Sequence, residues 1–381
     1  MRSTVAVLLA FLATAAGAAA GRAPANACRA PLPHGPAVPA PIVLWSDCGV
    51  YRIERDGQTV QLPRSWLARH GSGTGRRYGK DLRLRWTREG RFFLTRRGRE
   101  VWRSTGTYRN EGSGVAYGQG LFVFTSFPRG VFLTDLEGPE RLVLPGRALY
   151  VPGFTPSGKL FVTGGGVISV LSRSGDLLRR VLYRQRRGFG FDDASGTIFF
   201  VTRSDRLAAL HETRVRLLRR APGRFGYLTL SQPNVLVWYG TRSIVAMDRD
   251  GKMLAAAGWP RSQGSPDLGV SASLDSRFFA FRLSARRQRG GANVRLVLLR
   301  AGERRGEILV RHRFDDLGCG VWGAMRWNGR HLLYDYGRQG RVVVLAADSG
   351  EPTSLTRVVR GIPRRAPVET VGVAWADDFS R

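Results

Sequence analysis

The chain of 381 residues is short of the residue types on which most recognisable chemistry is built. It has five histidines, three cysteines, four methionines and, among 60 basic residues, only three lysines: Lys80, Lys159 and Lys252. Each shortage excludes something. His34, His70, His211, His312 and His331 stand singly, so no H-E-x-x-H or other metal-spaced pair exists. Cys28, Cys48 and Cys319 fit no zinc spacing. There is no G-x-S-x-G elbow and no D-x-D-x-D-G calcium loop. After the N-terminal segment no run approaches 18 apolar residues, so nothing further reads as a membrane span. "GSGTGRRYGK", 71–80, has the glycines and lysine of a phosphate loop in the wrong order: Thr74 stands five before Gly79, and Asp81 replaces the magnesium-holding Ser or Thr. It reads instead as a flexible loop. "GGGV", 164–167, reads as a tight hairpin whose glycines supply positive φ. No cofactor and no catalytic constellation is expected.

What is there is arginine. Formal net charge is +31 against 29 acids, and 57 of the 60 bases are arginines. Preferring Arg to Lys is what a GC-rich genome does; the excess over acids is a separate fact. The pairs Arg179-Arg180, Arg186-Arg187, Arg219-Arg220, Arg286-Arg287 and Arg364-Arg365 fall at strand ends and loops. Guanidinium groups fork onto phosphate and carboxylate, so a salt-dependent attraction to polyanions is expected, without specific nucleic-acid readout.

The first 20 residues read as a signal peptide. Arg2 opens "VAVLLAFLATAAGAAA", with Ala18 and Ala20 before a cleavage point at Gly21. A lipoprotein reading would lipidate Cys28, but the residues before it lack aliphatic character. A Pro/Ala-rich arm, 21–40, leads into one domain over 41–378. The protein is expected outside the cytoplasm, with no membrane span after cleavage and as a monomer. There, three cysteines imply one disulfide and one thiol.

The domain repeats one unit. A short apolar strand ends in a large residue; a turn of Gly, Asn, Asp or Ser follows, then two apolar runs and a more polar strand. "FTPSGKLFVTGGGVISVLSRSGDLLRR", 154–180, is the fullest copy. The large residue is Trp86, Tyr117, Phe154, Phe191, Leu230, Leu274 and Trp327 in turn. Short Val-, Ile-, Phe- and Leu-rich strands with regular glycines are all-β language. A four-strand unit of 30–50 residues that cannot bury both faces alone predicts a β-propeller. The ends complement each other: 41–62 supplies the second, third and fourth strands of a unit, and "VGVAWADD", 371–378, supplies a first strand with Trp375 in the large-residue place. Joined in one blade they close the ring. The count is eight blades, with seven as the alternative.

"FTPSGKLFVT" and "FDDASGTIFFVT" resemble the turn of TolB-like units, and "VVVLAADSGEP" resembles the end of quinoprotein-like units. The chain thus resembles the broad superfamily of WD-repeat, TolB-like and quinoprotein-like bacterial propellers over about 41–378. It lacks the Trp-Asp dipeptide and the tryptophan-docking motif, so no subfamily function carries over. With no catalytic constellation in view, the expected function is a binding or scaffold module whose ligand, a protein, a peptide or an anionic envelope polymer, contacts loops of one ring face. The alternative is a propeller hydrolase or lyase acting on a glycan or lactone.

Propeller geometry ranks the remaining residues. Asp192-Asp193 and Asp377-Asp378 sit at inner-strand turns, where a short carboxylate caps backbone N–H groups. Asp315-Asp316 lies before an inner strand, on the side where ring-face loops carry ligands. With Arg286 and Arg287 of the insertion 284–293, and Arg364 and Arg365 of the loop 357–370, it forms the expected ligand face. The Gly- and Arg-rich stretch 64–81 reads as a third long connection. A Cys48–Cys319 disulfide would staple the closing blade to its neighbour; Cys28–Cys48, tethering the arm, is the alternative.

Overall fold

The structure is a computed structural model. It describes residues 32–46, 49–63, 65–66, 77–78, 82–87, 90–108, 114–147, 149–223, 226–231, 235–286, 291–314, 325–335, 342–349, 352–355 and 372–379. These form eight four-stranded antiparallel sheets arranged as the blades of a β-propeller. Blade 1 joins both ends of the domain: β1 (Ile42–Ser46), β2 (Gly49–Ile53), β3 (Thr59–Leu62) and, as its first strand, β32 (Gly372–Trp375). Blade 2 holds β4 (Arg77–Tyr78), β5 (Leu82–Trp86), β6 (Phe92–Arg96) and β7 (Arg99–Arg103). Blade 3 holds β8 (Val115–Gly118), β9 (Leu121–Ser126), β10 (Gly130–Thr134) and β11 (Arg141–Pro145). Blade 4 holds β12 (Tyr150–Phe154), β13 (Leu160–Gly164), β14 (Val167–Leu171) and β15 (Leu177–Leu182). Blade 5 holds β16 (Phe189–Asp192), β17 (Thr197–Val201), β18 (Arg206–His211) and β19 (Arg214–Arg220). Blade 6 holds β20 (Gly226–Ser231), β21 (Val235–Gly240), β22 (Ser243–Met247) and β23 (Met253–Gly258). Blade 7 holds β24 (Ser265–Ala272), β25 (Phe278–Arg286), β26 (Ala292–Arg300) and β27 (Glu307–Phe314). Blade 8 holds β28 (Met325–Asn328), β29 (His331–Asp335), β30 (Val342–Ala346) and β31 (Pro352–Ser354).

The apolar runs are continuous because second and third strands are covered on both faces. β9, β10 and β17 are buried at every residue. The core is divided among the gaps between blades. Leu121, Val123, Val131 and Leu133 of blade 3 pack on Val151, Leu160 and Val162 of blade 4. Similar clusters join blades 4 to 5, 5 to 6, 6 to 7, 7 to 8 and 8 to 1. In blades 2 to 7 a register shift separates the third strand from the fourth. Such a bulge adds twist and turns the outer strand along the rim.

The ring closes as its ends predict. Ile42 pairs with Trp375, Val43 with Ala374 and Leu44 with Val373. Trp375 is buried, and its indole N–H donates to Arg326 O at 2.9 Å. Trp327 does the same one blade earlier, donating to Ser271 O at 2.9 Å. The "GGGV" hairpin is present: Gly165 and Gly166 take φ of 59° and 77° between paired Gly164 and Val167.

Three readings are corrected. Residues 82–86, with Trp86, are the second strand of blade 2 and not its first. The first strand is Arg77–Tyr78, inside the stretch read as a connection, and it pairs Arg77 with Arg83 and Tyr78 with Leu82. The bulge between β6 and β7 marks β7 as the outer strand, as in blades 3 to 7. Trp102 of β7 donates to Gly138 O in the next blade just as Arg219 of β19 donates to Gly251 O, each at 3.2 Å. Leu274 is also misplaced: the first strand of blade 7 ends at Ala272, and Leu274 lies in the turn, 50% exposed. Finally, the insertion 284–293 is partly strand. Ser284, Ala285 and Arg286 pair with Val294, Asn293 and Ala292, lengthening that hairpin.

Candidate functional site

The first strands line the inside of the ring, where β8 touches β12, β16 touches β20, and β20 touches β24. Alternation along a strand divides their side chains. Val151 of β12 and Leu228 of β20 are buried between blades. The residues two apart on the other face open into a cleft of about 510 Å³. Its walls include Tyr150 and Pro152 from β12, Phe189 and Phe191 from β16, and Tyr227 and Thr229 from β20. Asp193, just past β16, completes its polar lining.

The rings are held from behind. Tyr150 and Phe189 lie 5.7 Å apart at centroids, tilted 51°. Phe189 meets Tyr183 edge-on at 6.4 Å, and Phe191 meets Phe161 edge-on at 6.0 Å. Gly153 is the reason Phe191 can approach β12 closely: a Cβ there would sit 2.3 Å from its Cε1. Tyr150 and Tyr227 are 46% and 40% exposed, so the cleft is open to a ligand from solvent.

The two carboxylates of the expected turn cap have diverged. Asp192 is buried and does cap: it accepts from Ala194 N–H at 3.3 Å and from the Ser195 hydroxyl. It also pairs with Arg249 of blade 6 at 2.7 Å. Asp193 makes no hydrogen bond or ion pair with any described residue. Its Oδ1 lies beside Gly153, and the residue lines the cleft with Phe191. Partial burial, then the Asp192 charge, raises its pKa above the ordinary carboxylate value.

The Arg249–Asp192 tie belongs to a series on that face. The third turn of one blade reaches the first turn of the blade before it. Arg173 donates to Gln119 O at 3.1 Å, and Glu212 accepts from Ser157 at 2.7 Å and pairs with Lys159. Burial would raise Glu212, but the Lys159, Ser157 and Thr155 donors outweigh it and hold its pKa low. These charges fasten blades and leave Asp193 as the acid directed into the cleft.

The fold is shared with known propellers. The chain is similar to Citrobacter koseri AztD, with 12% identity, a TM-score of 0.50, and coverage of 87% of this chain and 96% of that one. A structure of apo AztD from the same organism gives 11% identity, a TM-score of 0.49 and coverage of 88% and 96%. The C-terminal WD40 domain of Sif2 gives 12%, 0.45, and 70% and 78%. At such identities the likeness is one of fold alone. No protein-family model matches the chain, and no curated protein sequence does.

The ligand face expected from sequence falls mostly outside the described residues. Asp315, Asp316, Arg287, Arg364 and Arg365, and all of Cys28, Cys48 and Cys319, fall outside the described residues. Arg286 ends β25 opposite Ala292. Among the described residues no group of three or more His, Cys, Asp or Glu comes together that could hold a metal ion. No described helix is long and apolar enough to cross a membrane. Sequence reasoning named Phe191 as a strand-ending residue and Asp193 as a cap, and passed over Tyr150, Phe189 and Tyr227. The signal was available in "FGFDD", where alternate positions are aromatic, aromatic and acidic.

Proposed function

We propose that the chain is an extracytoplasmic binding propeller that holds a segment of a protein or peptide in the cleft between the first strands of blades 4, 5 and 6. One observation carries this reading. Basic residues number 60 of 381, yet among the described residues no Lys or Arg lines the cleft, which gathers four aromatic rings. A concave, aromatic-rich wall with few polar groups is the usual form of a ligand site. Export rests on the N-terminal segment, and intact mass of the mature chain beginning at Gly21 would support it.

An anionic envelope polymer is the second ligand class. Exposed arginines on the fourth strands of blades 4 and 5 favour it. The deciding experiment measures the purified chain on heparin, on its own envelope polymers and on peptide arrays, stepped through salt. Peptide capture that survives moderate salt and is lost in Tyr150→Ala is the expected result. Retention on one polymer that outlasts moderate salt and ignores Tyr150→Ala would overturn the peptide reading.

A further inference from the structure

We infer that the cleft takes an alkylammonium group, with Asp193 as its counter-ion and Tyr150, Phe189, Phe191 and Tyr227 as its walls. The inference rests on the binding reading above and names the chemistry of what is bound.

The face of an aromatic ring is negative, so several rings around one space attract a cation and hold it without a directional bond. Four rings from three consecutive first strands surround this cleft. A carboxylate at the edge of such a space supplies the formal charge. Asp193 is that carboxylate, and its neighbour Asp192 shows by contrast what engagement looks like: Asp192 already has Arg249 at 2.7 Å.

Other ligand classes fit less well. A phosphate or uronate needs positive charge to offset its own, and the polar side chains of the described lining are the Asp193 carboxylate, which repels an anion, and the neutral hydroxyls of Thr229, Tyr150 and Tyr227. An apolar ligand would cover the Asp193 carboxylate without compensating it, which is unfavourable for any charged group taken out of water. A cation offsets that cost. The net charge of +31 does not forbid one, because charges further than about 8 Å are screened at physiological salt. Arg249 is engaged by Asp192, and Arg187 by Asp205 and the Trp238 ring. The volume of about 510 Å³ exceeds an ammonium head group and leaves room for the chain that carries it.

The test uses choline, N-acetyl-lysine amide and 3,3-dimethylbutan-1-ol, the neutral carbon isostere of choline, titrated calorimetrically into the whole mature chain. A cation should bind about tenfold or more tightly than the isostere. Asp193→Asn should weaken the cation about tenfold and leave the isostere unchanged; Tyr150→Ala should weaken both. Phe189→Leu is the second variant, keeping an apolar wall while removing the ring face, and it should weaken the cation alone. Choline ahead of the lysine amide would assign the site to a free methylated ammonium compound; the reverse would assign it to a protein side chain. Equal binding of choline and isostere, no binding of either cation, or indifference to Asp193→Asn at an unchanged melting temperature would overturn the inference. If peptide capture still depends on Tyr150 in that case, the binding reading stands while the ammonium reading falls.

Discussion

Blades 4 and 5 carry opposite chemistry on their two edges. Their first strands, "YVPGF" and "FGFD", hold no basic residue and three aromatic rings that face the cleft. Their fourth strands, "LLRRVL" and "RVRLLRR", carry Arg179, Arg180, Arg214, Arg216, Arg219 and Arg220. The same four-stranded sheets therefore end in a ring-lined wall inside and an arginine-lined rim outside. The rim has a structural reason. Outer strands expose unpaired backbone groups, and charge along such an edge discourages strand addition by another molecule. Rim arginines also fasten blades, as Arg219 does to Gly251 O. The inner wall has no comparable structural demand for rings open to solvent. In a chain this rich in arginine, the informative place is where arginine is missing.

The largest effect should come from breaking the ring on which both edges depend. Trp375 is 1% exposed, packs with Ile42, Leu44 and Val342, and ties blade 1 to blade 8 through Arg326 O. Trp375→Ala should cost about 3–5 kcal/mol in denaturant unfolding. A cost below about 1 kcal/mol would mean that the two ends are not held as one blade.

The next test separates wall from core. Phe200 is buried between blades 4 and 5, whereas Tyr150 is half exposed in the cleft. Phe200→Ala should cost about 3–5 kcal/mol of stability. Tyr150→Ala should change stability by only about 0.5 kcal/mol, as an exposed substitution does, yet abolish peptide capture. If both substitutions cost the same stability, Tyr150 is core and the comparison fails.

How much of this could be read from the chain depends on how local the determinant is. Ring closure was legible because 41–62 visibly lacks a first strand and Trp375 fills the missing place; the register Ile42 to Trp375 follows. The glycine hairpin was legible because two adjacent positive φ values demand it. Arg77–Tyr78 was not: a two-residue strand has no alternation to show, and its pairing with Leu82 and Arg83 alone defines it. Leu274 misled because size was read as burial, while the strand ends two residues earlier at Ala272. The cleft was hidden for a different reason. Tyr150, Phe189 and Tyr227 are almost forty residues apart, and each looks like an ordinary aromatic in a strand. Only the stacking of three blades makes them neighbours.

A smaller effect sharpens the rim. Arg180, Arg214 and Arg220 are exposed, and their side chains make no hydrogen bond or ion pair with a described residue. Replacing all three with Gln should move elution from heparin to lower salt and flatten its salt dependence, since each lost contact releases fewer counter-ions. Choline affinity should stay within about twofold, because the rim is screened from the inner wall. A rim triple variant that loses choline binding would mean that the two edges are coupled.

The smallest expected effect is the dependence on pH. Asp193 has its pKa raised, first by partial burial and then by the charge of Asp192. A raised carboxylate pKa means that the folded protein holds the proton more tightly than the unfolded chain does. This group therefore penalises folding slightly above its folded pKa, and the penalty is relieved as pH falls through it. Cation binding runs the other way, because it needs the carboxylate. Choline affinity should fall as pH drops through the raised pKa, at a higher pH than an ordinary aspartate would give, and Asp193→Asn should flatten the profile. A profile unchanged in Asp193→Asn would move the titrating group elsewhere and remove Asp193 as the counter-ion.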